Sequence, residues 1–199
     1  MYVRCENSGE KSIRAPALMP AFDDLITQIE LPQCQCLNAA KDHTLRHCLD
    51  EASRTDDSLY LESDADEELV ITIKFMQAVR VSGIIVQSTD ADGAPKDLRL
   101  FVNKVGLDFD NAKSDKATQE VTLTKGQAER GERIELRFVN FQGVQELGIF
   151  VGSNQGDAEL TRITKLAVLG EVVEQSGLKR SAEQQKASTQ GDWLGKGIS

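Results

Sequence analysis

Cys34, Cys36, His43, His47 and Cys48 lie within fifteen residues of one another and include both histidines of the chain. Thiolate and imidazole are the ligands that Zn²⁺ takes in tetrahedral sites, so the group raises the question of a metal. Its spacing argues against one, because Cys34-x-Cys36 is tighter than the usual zinc knuckle. Small core thiols and surface imidazoles explain the same residues, and no metal is predicted. His43 or His47 could serve as the base for a thiol nucleophile. A cysteine enzyme also needs an orienting third group and a means of stabilising an oxyanion, and neither is visible. Glu62, Asp64, Asp66 and Glu67 form the second dense group. Ca²⁺ favours several carboxylates, yet the Asp-x-Asp-x-Asp-Gly loop spacing is absent, and acidic runs at strand entrances ordinarily face solvent. No catalytic residue and no cofactor is expected, so the chain is predicted not to be an enzyme.

The elements that position these groups are extended. The acidic turn runs into Leu69-Val70-Ile71-Thr72-Ile73-Lys74-Phe75, where every second residue is apolar. That alternation predicts a strand with one face on a core and the other toward solvent. Further strands are predicted at 79–87, 98–102, 119–123, 134–138, 147–151 and 164–169. Turn signals separate them at Asp90-Ala91-Asp92-Gly93, Lys125-Gly126, Arg130-Gly131 and Ser153-Asn154-Gln155-Gly156-Asp157. Many short strands without long intervening helices point to an all-β sandwich or jelly roll. Ahead of them Phe22, Leu25, Ile26 and Ile29 fall on one helical face, predicting a short amphipathic helix that Leu31-Pro32 ends. One helical turn is expected over 44–49. The 104–118 loop is the longest interruption, and its Leu107 and Phe109 are expected to tuck onto the sandwich edge.

Composition narrows the function classes. The 199 residues suit one domain with tails, and 40% are hydrophobic, enough for a core. The apolar runs are too short to span a membrane, and Met1-Tyr2-Val3-Arg4-Cys5-Glu6 lacks a signal core. A cytoplasmic protein is expected, with the nucleus as a second compartment and its thiols free. The formal net charge of -9 argues against nucleic acid, which draws its affinity from Lys and Arg. Residues 1–20 read as a leader, 21–174 as the folded domain and 175–199 as a flexible basic tail. In that tail Trp193-Leu194 suits a short docking peptide.

The ordered motifs carry a resemblance. They are Cys36-Leu37-Asn38, Leu61-Glu62-Ser63-Asp64, Leu98-Arg99-Leu100-Phe101-Val102-Asn103, Asp108-Phe109, Leu136-Arg137-Phe138-Val139-Asn140-Phe141-Gln142, Ser153-Asn154-Gln155-Gly156 and Thr161-Arg162-Ile163. Together, over roughly 28–173, they resemble the PITH domain, a proteasome-interacting module named from its place at the C-terminus of a thioredoxin-like protein. The resemblance implies a jelly-roll β-sandwich similar to galactose-binding-like domains, docking to the proteasome regulatory particle, and no catalytic residues. The chain looks like a stand-alone member without the thioredoxin domain, since no Cys-x-x-Cys occurs.

The expected docking edge comprises Glu62, Asp64, Asp66 and Glu67 together with Asn154 and Gln155, with Trp193 contributing from the tail. The Ser153–Asp157 loop has two readings, a partner contact or simply a tight turn, and both stand on the sequence. Arg137 and Arg162 are expected to form structural ion pairs that join loops. Phe138, Phe141 and Phe150 are expected to anchor the core. Rival functions are a structural subunit of another large assembly, such as a cytoskeletal complex, and a carbohydrate-binding jelly roll. The aromatic content of 5% disfavours the second.

Overall fold

The computed structural model describes residues 23–173. The expected leader, the tail with Trp193, and Phe22 lie outside that range. Ten strands occur among the described residues: β1 (Asp23–Asp24), β2 (Gln35–Leu37), β3 (Leu61–Glu62), β4 (Leu69–Gln87), β5 (Pro95–Val102), β6 (Gln119–Thr122), β7 (Arg133–Glu135), β8 (Val144–Asn154), β9 (Arg162–Ile163) and β10 (Lys165–Val172). Every pairing between them is antiparallel.

The segments 69–75 and 79–87 are one strand, not two. β4 bends where its register shifts between Lys74 and Val79. Before the bend it pairs with β2 and β8, and after it with β10 and β7, β8 adding one last pair at Val79–Val144. The single strand therefore serves two layers, β2-β4-β8-β5-β6 and β1-β10-β4-β7. A strand that changes sheets at a bulge is a common way to make the corner of a sandwich. Between the layers Ile71, Ile73, Leu147 and Ile149 meet Ile84, Val86, Leu166 and Val168, all essentially buried. The expected all-β jelly-roll sandwich is what the chain forms.

The first half of β4 is covered on both faces, which corrects the expectation of a solvent side. Val70 and Thr72 are as buried as Ile71 and Ile73. Val70, Phe101 and Phe150 carry a second, smaller core against Leu107 and Ala112. The cover is the 104–118 segment, which holds helix α2 (Phe109–Ser114). Asp108 and Asn111 close a capping box at its start, and Arg99 grips its end by donating to the carbonyls of Ala112, Lys113 and Asp115 at 2.6, 2.7 and 2.9 Å. Gly148 makes the seat, because a Cβ there would stand 2.5 Å from a Leu107 methyl. The expected tucking of Leu107 and Phe109 is observed.

Three local expectations change. The helix through Phe22 and Ile29 is one 3₁₀ turn, Leu25–Gln28, capped by Asp24. β1 pairing with β10 takes the residues ahead of it, so too few remain for an α-helix, although Leu25 and Ile29 are buried as their spacing required. The turns at Lys125-Gly126 and Arg130-Gly131 are the two ends of helix α3 (Lys125–Arg130), which Thr124 caps at its start and Gly131 closes at φ 60°. Phe138 leaves the strand in a 3₁₀ turn and is 38% exposed, whereas Phe141 and Phe150 anchor the cores as expected. The turn predicted over 44–49 is helix α1 (Leu45–Leu49), preceded by the unforeseen β2.

Candidate interaction rim

The two loops expected to act together do meet. The start of β4, the start of β5 and the end of β8 lie at one end of the sandwich. There the β3–β9 ladder pairs Glu62 with Arg162. Ser63 is buried, and its hydroxyl accepts from the Thr161 N–H at 2.9 Å. Thr161 in turn donates from its hydroxyl to the Glu67 carbonyl at 2.7 Å. These bonds clamp the acidic loop 64–68 to the 155–161 loop. Between the two lies a small cleft of about 170 Å³, lined by Glu67, Ser153, Asn154, Asp157, Ala158 and Glu159.

The acidic loop has an organiser that sequence reasoning missed. Asn38 sits just past β2 at φ 64°, a left-handed conformation that asparagine tolerates. Its amide donates to the carbonyls of Asp66 (3.2 Å) and Glu68 (2.7 Å) and to the Asp66 carboxylate (2.8 Å). Its oxygen accepts from the Ala65 N–H at 3.0 Å. The available signal was Asn38 itself, within the Cys36-Leu37-Asn38 motif, since asparagine is the residue for a left-handed turn.

The expected docking residues divide into two kinds. Asp64 and Asp66 are exposed, and Glu67 is half-buried at the cleft wall. Among the described residues Asp64, Asp66, Glu67, Asp157 and Glu159 form no ion pair, whereas Glu68 pairs with Lys113 at 2.7 Å. These carboxylates are available to a partner. Asn154, Gln155 and Glu62 are committed inward, a correction to their expected role as contacts. Asn154 is 1% exposed; its amide donates to Ala158 and Leu160 carbonyls and its oxygen accepts from the Ala158 N–H at 2.8 Å. Gln155 donates to the carbonyls of Pro95 and Leu123 at 3.0 and 2.8 Å. Both residues shape the loop, because a buried amide must spend its hydrogen bonds inside.

Arg162 performs the structural pairing expected of it, with Glu62 and with Asp90, the latter at 3.3 Å. Glu62 pushes the guanidinium above its ordinary range. The Arg162 side chain is 42% exposed, so solvent screens the pair. Arg162 also lies over the Tyr60 ring, 5.3 Å from its centroid, while His43 stacks on that ring at 4.1 Å. Arg137 is a correction. It is exposed, its guanidinium forms no ion pair among the described residues, and its bonds are made by the backbone, whose N–H donates to Gln119 and whose carbonyl accepts from Asn140. β7 ends at Glu135, so Arg137 stands at the start of the 3₁₀ turn Phe138–Asn140 and not on a strand.

Among the described residues the cysteine side chains are each occupied locally, while His43 stacks on Tyr60 and His47 Nδ1 lies 3.3 Å from the Tyr60 carbonyl oxygen. Cys48 donates to the Leu45 carbonyl, Cys36 to that of Leu37 and Cys34 to that of Glu30. Burial pushes the Cys36 thiol up to about 12, and the Cys48 thiol higher still. Such thiols are poor nucleophiles and poor ligands. Among the described residues no three Cys, His, Asp or Glu side chains converge on a common metal position.

Comparison with known proteins fits this construction. The family model for the PITH domain matches residues 15–188. The chain belongs to the PITH domain family. Thioredoxin-like protein 1 of Schizosaccharomyces pombe is 36% identical over 174 residues, covering 85% of this chain and 59% of that protein. PITH domain-containing protein 1 of Homo sapiens is 32% identical over 154 residues, covering 75% of this chain and 70% of that protein. The chain thus spans less than two thirds of the fission yeast relative. Among solved structures, CBM32-3 from a family 31 glycoside hydrolase of Clostridium perfringens superposes with a TM-score of 0.51 at 14% identity, covering 70% of this chain and 92% of that one. At that identity the likeness concerns the fold, a galactose-binding-like jelly roll. Among the described residues no helix is long and apolar enough to cross a membrane.

Proposed function

We propose that this chain is a non-catalytic docking module for the proteasome regulatory particle, working in the cytoplasm and nucleus. The family membership supports a protein-interaction role, and the name of the domain points to the proteasome. The observation that carries the reading is the rim, where five carboxylates that form no ion pair among the described residues stand on loops already held in place by Asn38, Ser63, Asn154 and Thr161. Pre-ordered loops lose little entropy on binding, and a field of one sign steers a basic partner surface onto them. No nucleic acid, membrane or metal enters the mechanism.

The carbohydrate alternative is disfavoured by Tyr60. Sugar recognition on a β-sandwich wants an open aromatic face, and the ring at this rim is already engaged by His43 and Arg162. The test is affinity purification of the wild-type chain beside an Asp64→Lys, Asp66→Lys, Glu67→Lys variant under gentle ionic conditions. Wild type should retain regulatory-particle subunits, and the variant should lose them by about tenfold or more. Absence of proteasome subunits from the wild-type sample refutes the partner, and equal recovery by the variant refutes the rim.

A further inference from the structure

The cover formed by residues 104–118 does not span the whole outer face of its layer. Val70, Thr72, Lys74 and Met76 follow one another along that face of β4, two residues apart. Val70 packs under the cover and Thr72 is buried, whereas Lys74 is partly exposed and Met76 is 64% exposed. On the cover itself Val105 is 86% exposed. Met76 and Val105 line one groove of about 370 Å³, the size of a small ligand site. Single exposed apolar residues are ordinary, but two that flank one groove mark a contact surface.

The groove also holds a row of charges across three neighbouring segments. On one side of β4 the Glu30 N–H donates to the Lys74 carbonyl at 2.8 Å, and on the other Glu146 pairs with Lys74 across the β4–β8 ladder. All three side chains line the groove, so two carboxylates face one ammonium and a single negative charge is in excess. The pairing is also loose. Lys74 stands 3.7 Å from the Glu146 carboxylate and makes no hydrogen bond to it, although the Glu146 side chain is only 14% exposed. Glu30 forms no ion pair among the described residues. A carboxylate withdrawn from water needs a close, hydrogen-bonded cation, and the resident lysine does not supply one. Asn103 fixes this wall, its oxygen accepting from the Gln145 and Glu146 N–H groups at 2.8 and 3.1 Å and its amide donating to the Gly143 carbonyl at 3.1 Å. A wall set in advance loses little entropy on binding.

We propose that this groove receives a segment of a partner protein that carries an arginine beside a large apolar residue. The guanidinium lies between Glu30 and Glu146, and the apolar side chain fills the space between Met76 and Val105. Two cations then face two anions. Arginine suits the position better than lysine, because its planar fork bonds two carboxylates at once and the acids stand two strand spacings apart, ~10 Å at the backbone. The groove lies ~20 Å along β4 from the acidic loop, so the inference does not rest on the docking role of the rim.

The probe is acetyl-Arg-Leu-amide, titrated into the isotopically labelled full chain and followed by NMR. The backbone amides of Met76, Gln77, Val105 and Glu146 should shift and saturate. Acetyl-citrulline-Leu-amide keeps the shape without the charge and should bind about tenfold more weakly. Glu146→Gln and Glu30→Gln should each weaken the arginine probe several-fold, with the remaining amide spectrum checking that the fold persists. Met76→Ser should weaken it too, and should leave acetyl-Arg-Gly-amide unaffected. Absence of saturable shifts in the unmodified chain overturns the proposal. So does equal binding of the citrulline probe, or an affinity unchanged by both glutamate substitutions. Free arginine binding as tightly as the dipeptide also overturns it, by assigning the groove to an amino acid. Shifts of the same amides that follow protein concentration before any probe is added overturn it as well, by assigning the groove to a second copy.

Discussion

Replacing Asn38 should disorder the acidic rim, and its cost can be divided into two parts. Asn38→Ala deletes three donated hydrogen bonds and one accepted, spanning Ala65, Asp66 and Glu68. A typical bond contributes a net ~0.5–1.5 kcal/mol, but most of these groups are exposed and water replaces the lost partner, so the set contributes roughly 1–2 kcal/mol. The second part is the backbone. Position 38 has φ 64°, and an alanine there costs about 1–2 kcal/mol that asparagine largely avoids. The sum is roughly 2–4 kcal/mol, or about 5–15 °C in melting temperature for a chain of this size. Asn38→Gly separates the parts, since glycine accepts the backbone but supplies no bonds. After its extra unfolded-state entropy it should be about 0.5–1 kcal/mol more stable than the alanine variant. Urea titration gives the free energies, and hydrogen exchange should show faster exchange at Ala65 and Glu68 in both variants. A loss below ~0.5 kcal/mol with unchanged exchange at these amides would refute the organising role, and a glycine variant no better than alanine would refute the backbone part.

Leu107→Ala should cost about 2–4 kcal/mol, measured by urea unfolding, because it empties the centre of the second core. Gly148→Val should unseat the same side chain and show a comparable loss; near-neutrality of both would mean the 104–118 cover is not part of the fold. Asp97 ties β6 and β8 to β5 by accepting from Thr122 and Ser153 at 2.8 and 2.7 Å, and these bonds hold its carboxyl below its ordinary value. A depressed folded value means the contribution is present above the ordinary carboxylate range and lost as pH falls through the folded value. Asp97→Asn should therefore be less stable than wild type at neutral pH, with the gap closing in acid; a gap independent of pH would refute the linkage. Burial pushes both thiols well above the ordinary range, so they stay protonated at pH 8, and Cys36 and Cys48 should resist alkylation until the protein unfolds. Rapid native-state labelling of either, read by mass spectrometry, would contradict their burial.

What could be read in the sequence was whatever depends on near neighbours. The alternation in 69–75, the turn chemistry at Asp90–Gly93 and the apolar pair Leu107 and Phe109 all led to elements that exist. Whatever depends on a distant partner was hidden. Asn38 and Asp66 are 28 residues apart, and Glu62 and Arg162 are 100 apart. Only the two-layer path of β4 brings them together. Arg137 and Arg162 look alike in the sequence, yet only the second falls opposite a carboxylate, because β9 pairs with β3 while β7 ends two residues before Arg137. The second face of β4 was misjudged for a related reason. Alternation identifies the face that must be buried, but it does not reveal a cover that the 104–118 segment supplies from elsewhere in the chain.

Asn154 and Gln155 show why polar loop residues mislead when they are read as contacts. A loop that closes over itself needs buried donors and acceptors to satisfy its own carbonyls and N–H groups, and amide side chains supply both. The residues best suited to recognition by type are then consumed in making the loop rigid. What is left outside is Asp64, Asp157 and Glu159, the cleft wall at Glu67, and Asp66, whose carboxylate is exposed although one of its oxygens also accepts from Asn38 and the Glu68 N–H. Carboxylates suit that position, because they remain hydrated when alone and repel copies of the same chain. Selectivity at such a rim rests on where the inward amides hold the outward charges. Changing the amides alters the arrangement of the charges, while changing Asp64, Asp157 or Glu159 alters the charge itself and leaves the framework standing; Asp66 belongs to both, because its carboxylate also holds Asn38.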